Sequence, residues 1–207
     1  MSKLLNVSSS PHVRCCVSTK NLMYDVAIAM LPATIWGVMQ FGIYSLIVVV
    51  ATVLSCVLSE YLFETLMHKP VTISDGSALV TGMILGLNMP PAIPLWMPIL
   101  GGVFAIIVVK QLYGGLGQNW MNPALAARCF MLISFAQAMT KFTDPVTDAV
   151  ASATPLAAIK AGDTYDLAAM FIGKIPGTIG EVSVIALLIG AAYLLVKKVI
   201  TIRIPAA

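Results

Sequence analysis

Two long apolar runs stand back to back near the start of the chain, Leu22 to Phe41 and Ile43 to about Met67, with only Gly42 between them. Each supplies the roughly 20 residues that a helix needs to cross a bilayer core. A single intervening residue leaves no room for a loop, so the pair predicts a tight helical hairpin in a membrane. Asp25 and Pro32 interrupt the first run, and Glu60 and Glu64 sit near the end of the second. Carboxylates in such positions are either interfacial or lysine-paired groups or members of a proton relay.

Composition supports the membrane assignment. Of 207 residues, 59% are hydrophobic and 10% charged, whereas soluble domains carry about 25% charged residues. Disordered, collagen-like, coiled-coil and disulfide-scaffold classes are excluded, and a soluble enzyme is disfavoured. The formal charge is +3, but the basic residues are dispersed and form no nucleic-acid-binding face. Cys15, Cys16, Cys56 and Cys129 lack metal-ligand spacing, and His12 and His68 are isolated, so no metal site and no nucleophilic triad is expected. There is no P-loop and no dinucleotide-binding glycine pattern after a strand.

The rest of the chain continues the all-α pattern. Residues 1–20 are polar and basic and lack the apolar centre of a signal peptide, so they read as a cytoplasmic segment ahead of a transmembrane domain over 21–207. Ala78 to Met89 is too short to span, carries Gly82 and Gly86, and stops at Asn88-Met89-Pro90-Pro91; it predicts a half-helix buried in protein. Pro94 to Tyr113 predicts a full span, Asn122 to Ala138 a further apolar segment containing Arg128, and Ile179 to Val196 a last span. The total is about five to six transmembrane or half-membrane helices. Residues 141–177 form a long polar loop, and loops of that length are usually functional or disordered.

Orientation follows from the cations. With the N-terminus cytoplasmic and the half-helix reversing the chain, Lys3, Arg14, Lys20, Lys69, Lys110, Lys197, Lys198 and Arg203 fall inside, against Lys141, Lys160 and Lys174 outside, eight against three. That bias places loop 141–177 on the non-cytoplasmic side of the cell membrane.

Three polar clusters sit where helices are short or broken. Ser74-Asp75-Gly76-Ser77 precedes the half-helix, where Asp or Ser can cap backbone N–H groups or take part in ion binding at a broken helix end. Gly114 to Pro123 includes Asn119 and Asn122; Asn122-Pro123 reads as a helix start with proline in the first turn, and the glycines fit either close packing or a site. Asp75, Ser77, Asn119 and Asn122 are the candidates for an ion path. The third cluster, Asp148 to Leu156, surrounds Ser152 and Thr154 with small residues. It reads as a plain Ser/Thr turn or as a place where a hydroxyl carries a phosphoester. The function classes left open are a redox-driven ion-pump subunit, a passive channel or secondary transporter, and a membrane scaffold.

The stretches Ser74 to Gly82, Lys110 to Asn119, Asn122-Pro123-Ala124, Asp148 to Leu156 and Ile175 to Glu181 resemble the D subunit of the Rnf electron-transport complex. The related B subunit of the sodium-translocating NADH:quinone oxidoreductase is the next most similar. The resemblance extends from about residue 20 onward. It implies a multi-pass subunit that carries FMN covalently through a phosphoester on a threonine. The matching threonine is Thr154, with Asp148, Ser152 and Pro155 in its motif, although Ala151-Ser152 stands where Ser-Gly is commoner. A dedicated flavin transferase would attach the FMN, and a second flavin, riboflavin, would be held non-covalently. The implied function is an electron relay coupled to Na⁺ or H⁺ movement in a ferredoxin:NAD oxidoreductase, with no independent active site. Implied partners are the other membrane and peripheral subunits, among them a second flavin-bearing subunit and iron–sulfur subunits. Family members repeat their first half in inverted topology, so these residues are expected to form the first part of an inverted-repeat bundle.

Overall fold

A computed structural model describes residues 18–143, 150–151, 160 and 167–201. Helix α1 spans Thr19–Phe41 and starts on Ser18, whose hydroxyl accepts a hydrogen bond from the Asn21 N–H. Helix α2 spans Ile43–Leu66. Between them Gly42 has φ 82°, a left-handed value that an L-residue adopts only with strain, so the hairpin turns on one glycine. Both helices are long and apolar enough to cross a membrane. Ile28, Leu31, Ile35, Leu54, Leu58 and Leu62 are all exposed, an apolar face suited to lipid rather than water.

A 3₁₀ turn, Ile73–Asp75, leads into α3, Ser77–Leu87, at the place and length expected of the half-helix. Eleven residues reach about 16 Å at the α-helical rise, well short of a bilayer. Helix α3 lies against α2 because Gly82 and Gly86 face it without side chains. A Cβ on Gly82 would stand 2.6 Å from the Val53 Cα, and one on Gly86 3.0 Å from the Val49 Cα. Around this contact Val48, Val49, Leu85, Met89, Ala127 and Met131 form the buried core.

Helix α4, Trp96–Val103, continues without a break into a π-helical segment, Phe104–Gln111. Its end is marked by backbone bonds from Leu112 N–H to the Ile107 carbonyl and from Gly115 N–H to the Lys110 carbonyl. Helix α5, Pro123–Ser134, begins on Asn122, whose side chain accepts from the Ala124 and Leu125 N–H groups; the helix start read from Asn122-Pro123 is the one observed. Short α6, Ala136–Met139, follows. Strands β1, Phe142–Thr143, and β2, Val150–Ala151, pair antiparallel near the start of the long loop. Helices α7, Leu167–Ile172, and α8, Val184–Val196, complete the described chain.

Three expectations change. The full span expected over Pro94 to Tyr113 is a shorter apolar helix, Trp96–Gln111, below spanning length. The last span does not begin at Ile179, because residues 179–183 are not helical. The Ile179 and Gly180 N–H groups donate to the carbonyls of Met89 and Leu87, groups that the end of α3 leaves free. The segment thus serves as an external cap for the half-helix, and α8 starts on Ser183, which accepts from the Ala186 N–H. Lys110, expected among the cytoplasmic cations, is 1% exposed and lies inside the bundle, which reduces the charge count to seven against three.

Candidate functional site

The polar residues of α2, α3 and the π segment converge at one place. Glu60 and Glu64 are four residues apart, so the helical repeat puts them on one face of α2, and both are buried. Lys110, at the end of the π segment, brings its Nζ to 2.5 Å from Glu60 Oε1, with both side chains shielded from solvent. The same ammonium donates to Ser77 Oγ at 2.6 Å. Gln111 Nε2 donates to Glu60 Oε1 at 2.8 Å and to Glu64 Oε1 at 3.2 Å. Glu64 also accepts from the Thr72 hydroxyl and, at 2.9 Å, from the Thr72 N–H.

Asp75 joins this network through Ser77. Its Oδ1 accepts from the Ser77 N–H at 2.8 Å and from the Ser77 hydroxyl at 2.6 Å, so Asp75, one residue ahead of the N-cap Gly76, satisfies the first free backbone N–H of α3. The Ser77 hydroxyl is therefore a junction, donating to Asp75 and accepting from Lys110.

On the other side of Lys110 lies a cavity of about 160 Å³, lined by Ser77, Thr81, Lys110, Asn119 and Asn122 together with apolar groups. Apolar groups make up most of its lining, but these polar residues and its volume suit a few water molecules. The Asn119 Oδ1 is buried with no protein partner among the described residues, and so is Glu60 Oε2. Of the four ion-path candidates, Ser77, Asn119 and Asn122 line one cavity, and Asp75 is a hydrogen bond away from it.

The central groups, Glu60, Glu64, Lys110 and Gln111, are not among those four. Their signal is present in the sequence, as ionisable residues within apolar helices and a Glu pair at i, i+4. What the sequence does not carry is the pairing with Lys110. Asp25, the carboxylate in the first apolar run, accepts from Tyr193 Oη at 2.9 Å and lies 3.8 Å from Lys197 Nζ, tying α1 to α8. Arg128 donates to Asn88 Oδ1 at 2.9 Å, anchoring α5 to the end of α3. Among the described residues no group of His, Cys, Asp and Glu could hold a metal ion, and Cys56 and Cys129 are free thiols.

Thr154, Asp148, Ser152 and Pro155 lie outside the described residues, as do Cys15, Cys16, His12 and Arg203. At the base of the loop that carries Thr154 there is a cavity of about 590 Å³, bounded by Pro94, Met97, Phe135, Gln137 and Lys141. Phe135 stacks edge-on against Trp96 with ring centroids 5.2 Å apart.

The family model described as NQR2, RnfD, RnfE matches residues 6–207. Over 207 residues the chain is 47% identical to the D subunit of the Na(+)-translocating ferredoxin:NAD(+) oxidoreductase complex of Acetobacterium woodii, covering 97% of this chain and 65% of that protein. It is 41% identical to the D subunit of the proton-translocating ferredoxin:NAD(+) oxidoreductase complex of Clostridium ljungdahlii, covering 98% of this chain and 65% of the relative. It is 32% identical to the D subunit of the ion-translocating oxidoreductase complex of Rhodobacter capsulatus, covering 96% and 65% respectively. The chain thus spans about two thirds of the length of these curated relatives.

Proposed function

The chain belongs to the NQR2, RnfD, RnfE family, and on that premise we propose that it is the D-type membrane subunit of an ion-translocating ferredoxin:NAD oxidoreductase complex. In this reading it relays electrons through a covalently held FMN and contributes part of the ion path. The observation that carries the ion-path half is the buried Glu60–Lys110–Ser77 junction beside a cavity lined in part by Ser77, Thr81, Asn119 and Asn122. Charges are expensive within an apolar bundle and are kept there chiefly for transport or relay. A scaffold has no need of two buried carboxylates next to a cavity that polar side chains help to line. The path runs from Asn119 and Asn122 through the cavity to Ser77, Asp75 and the Glu60–Glu64 pair.

The FMN half rests on the motif in loop 141–177. Thr154 would carry the phosphoester, with Asp148, Ser152 and Pro155 in the recognition sequence of a flavin transferase. The donor chemistry fits, since a phosphoester needs a hydroxyl with small neighbours. The described base of the loop fits as well: the 590 Å³ cavity beside Phe135 is in the size range of small-molecule sites. When bound, the flavin accepts and releases one or two electrons. The chain's own part is to anchor the cofactor and hold it beside the bundle on the non-cytoplasmic side. A second flavin, riboflavin, is assigned no residues.

The other complex subunits, including a second flavin-bearing subunit and iron–sulfur subunits, would be its electron partners in the cell membrane. The relatives' complexes divide by name between Na⁺ and protons, so overall similarity leaves the coupling ion to experiment. The deciding test uses the full-length subunit in its complex, co-produced with the flavin transferase. The denatured band of this subunit should fluoresce as a flavoprotein in the gel, and vesicles holding the complex should accumulate Na⁺ or H⁺ when ferredoxin is oxidised. A non-fluorescent band overturns the relay, and electron transfer without ion movement overturns the path.

A further inference from the structure

The Lys110 ammonium occupies an unusual place. It contacts Glu60 Oε1 at 2.5 Å, and Lys110 is also one of the residues, with Asn119, that line the 160 Å³ cavity. Through Ser77 Oγ, at 2.6 Å, it is also linked to the start of α3. Any small cation passing from the cavity to the two carboxylates would meet this ammonium first. The charges around it do not balance: Glu60 and Glu64 are 0% and 2% exposed, and among the described residues the single cation facing them is Lys110. Glu60 Oε2 is buried and lacks a partner among the described residues. A buried carboxylate with one unsatisfied oxygen is costly and has coordination capacity to spare.

The helix that carries Lys110 is itself unusual. Residues Phe104–Gln111 are wound as a π-helix for eight residues, and π segments are usually no more than a single bulge, frequently at functional sites. Bonding from i to i+5 adds somewhat less than one residue per turn over the α-helical 3.6, so over this length it displaces the last side chains by roughly a third of a turn from their α-helical positions. The π winding is therefore what aims both Lys110 and Gln111 at α2. Rewinding the same segment as α-helix would exchange its i→i+5 bonds for i→i+4 bonds and turn both side chains away from Glu60.

We infer that Lys110 is a tethered cation that holds the place of the transported one: its ammonium plugs the passage between this cavity and the Glu60–Glu64 pair, and the π segment is the element that withdraws it. This inference rests on the reading of the cluster as part of an ion path. In the plugged state the ammonium partly neutralises the carboxylates and excludes a second cation. In the withdrawn state the pair is open to one monovalent cation or proton from the cavity. Exchange of an internal cation for an external one keeps the buried charge constant and lowers the barrier that a bare pair of carboxylates would present. Lys110 is a positioning residue in this scheme and has no part in electron transfer.

The test uses the full-length complex in vesicles, with Lys110→Met, which keeps the stem and removes the charge. Two arms, ²²Na⁺ uptake and an entrapped pH-sensitive dye in Na⁺-free buffer, separate Na⁺ from protons. Lys110→Met should retain electron transfer, lower the half-saturating cation concentration for transport by about tenfold or more, and show passive flux in at least one arm without any electron donor. Wild-type vesicles should show none. Lys110→Gln, which keeps a donor for Glu60 and Ser77, replaces Lys110→Met should the latter not assemble.

Wild-type half-saturation with no passive flux in either arm overturns the inference. So does assembly of Lys110→Arg alone, with both neutral variants lost, because that identifies a structural pillar. A wild-type complex that transfers electrons and moves neither ion overturns the underlying reading instead, and the inference falls with it.

Discussion

Lys110 Nζ and Glu60 Oε1 meet at 2.5 Å across fifty residues of sequence, and neither side chain touches solvent. Removing one partner of such a pair leaves the other as an uncompensated buried charge. Glu60→Ala should therefore lower stability by about 3–5 kcal/mol, and Glu60→Gln by less, because the amide still accepts from Lys110. Thermal unfolding of the detergent-solubilised protein checks the order. Equal midpoints for the two variants would show that the acceptor kept by Gln contributes nothing, and a Glu60→Gln midpoint equal to wild type would show that the carboxylate charge contributes nothing.

The α2–α3 contact depends on the missing side chain at position 82. With the Val53 Cα 2.6 Å from where a Cβ would stand, Gly82→Val forces the helices apart and should cost about 1–3 kcal/mol or more. The same change at Gly42, where nothing lies within 4 Å, strains only the backbone. Comparing the two unfolding midpoints separates steric from conformational cost. A Gly82→Val protein as stable as wild type would be incompatible with the close packing.

Asp75 both satisfies the first free backbone N–H of α3 and neighbours the cavity. Asp75→Ala removes both of its bonds to Ser77 and should cost about 1 kcal/mol of helix stability. We expect ion-coupled activity to fall further than the yield of assembled complex. Unchanged ion transport would reduce Asp75 to a capping residue.

Thr154→Ala should abolish the covalent flavin while leaving the spans intact, since one hydroxyl and one methyl on a loop contribute little to stability. Mass spectrometry of peptides from region 142–160 should find FMN less water on Thr154 in the wild type. Attachment on Ser152, or none in the presence of the transferase, refutes the assignment.

Loop 141–177 should face away from the cytoplasm. Cysteine placed at Thr164 in a cysteine-free background should react with a membrane-impermeant thiol reagent in intact cells. Labelling only after lysis would invert the topology.

Some of this molecule is decided within a turn or two of chain. The lengths of the apolar runs settle α1 and α2, because a helix that must satisfy its own backbone in lipid is specified by hydropathy alone. The Asn122-Pro123 start of α5 and the Asp75–Ser77 cap are likewise local, since the groups that bond lie two or three residues apart. The half-helix is legible in its glycines and its Asn88-Met89-Pro90-Pro91 stop. The tertiary structure decided what involves partners far away in sequence. Hydropathy treats Lys110 as a cation at the end of a span, whereas the π winding and the approach of α2 turn it into the counter-ion of Glu60. It treats Ile179 to Ser183 as the start of a helix, whereas the free carbonyls of Leu87 and Met89 draw that backbone into bonds of their own. A one-dimensional pattern counts how apolar a segment is; which buried polar group meets which is fixed only when helix faces are brought together, because a buried charge or an open backbone group is satisfied by whatever neighbour the packing supplies.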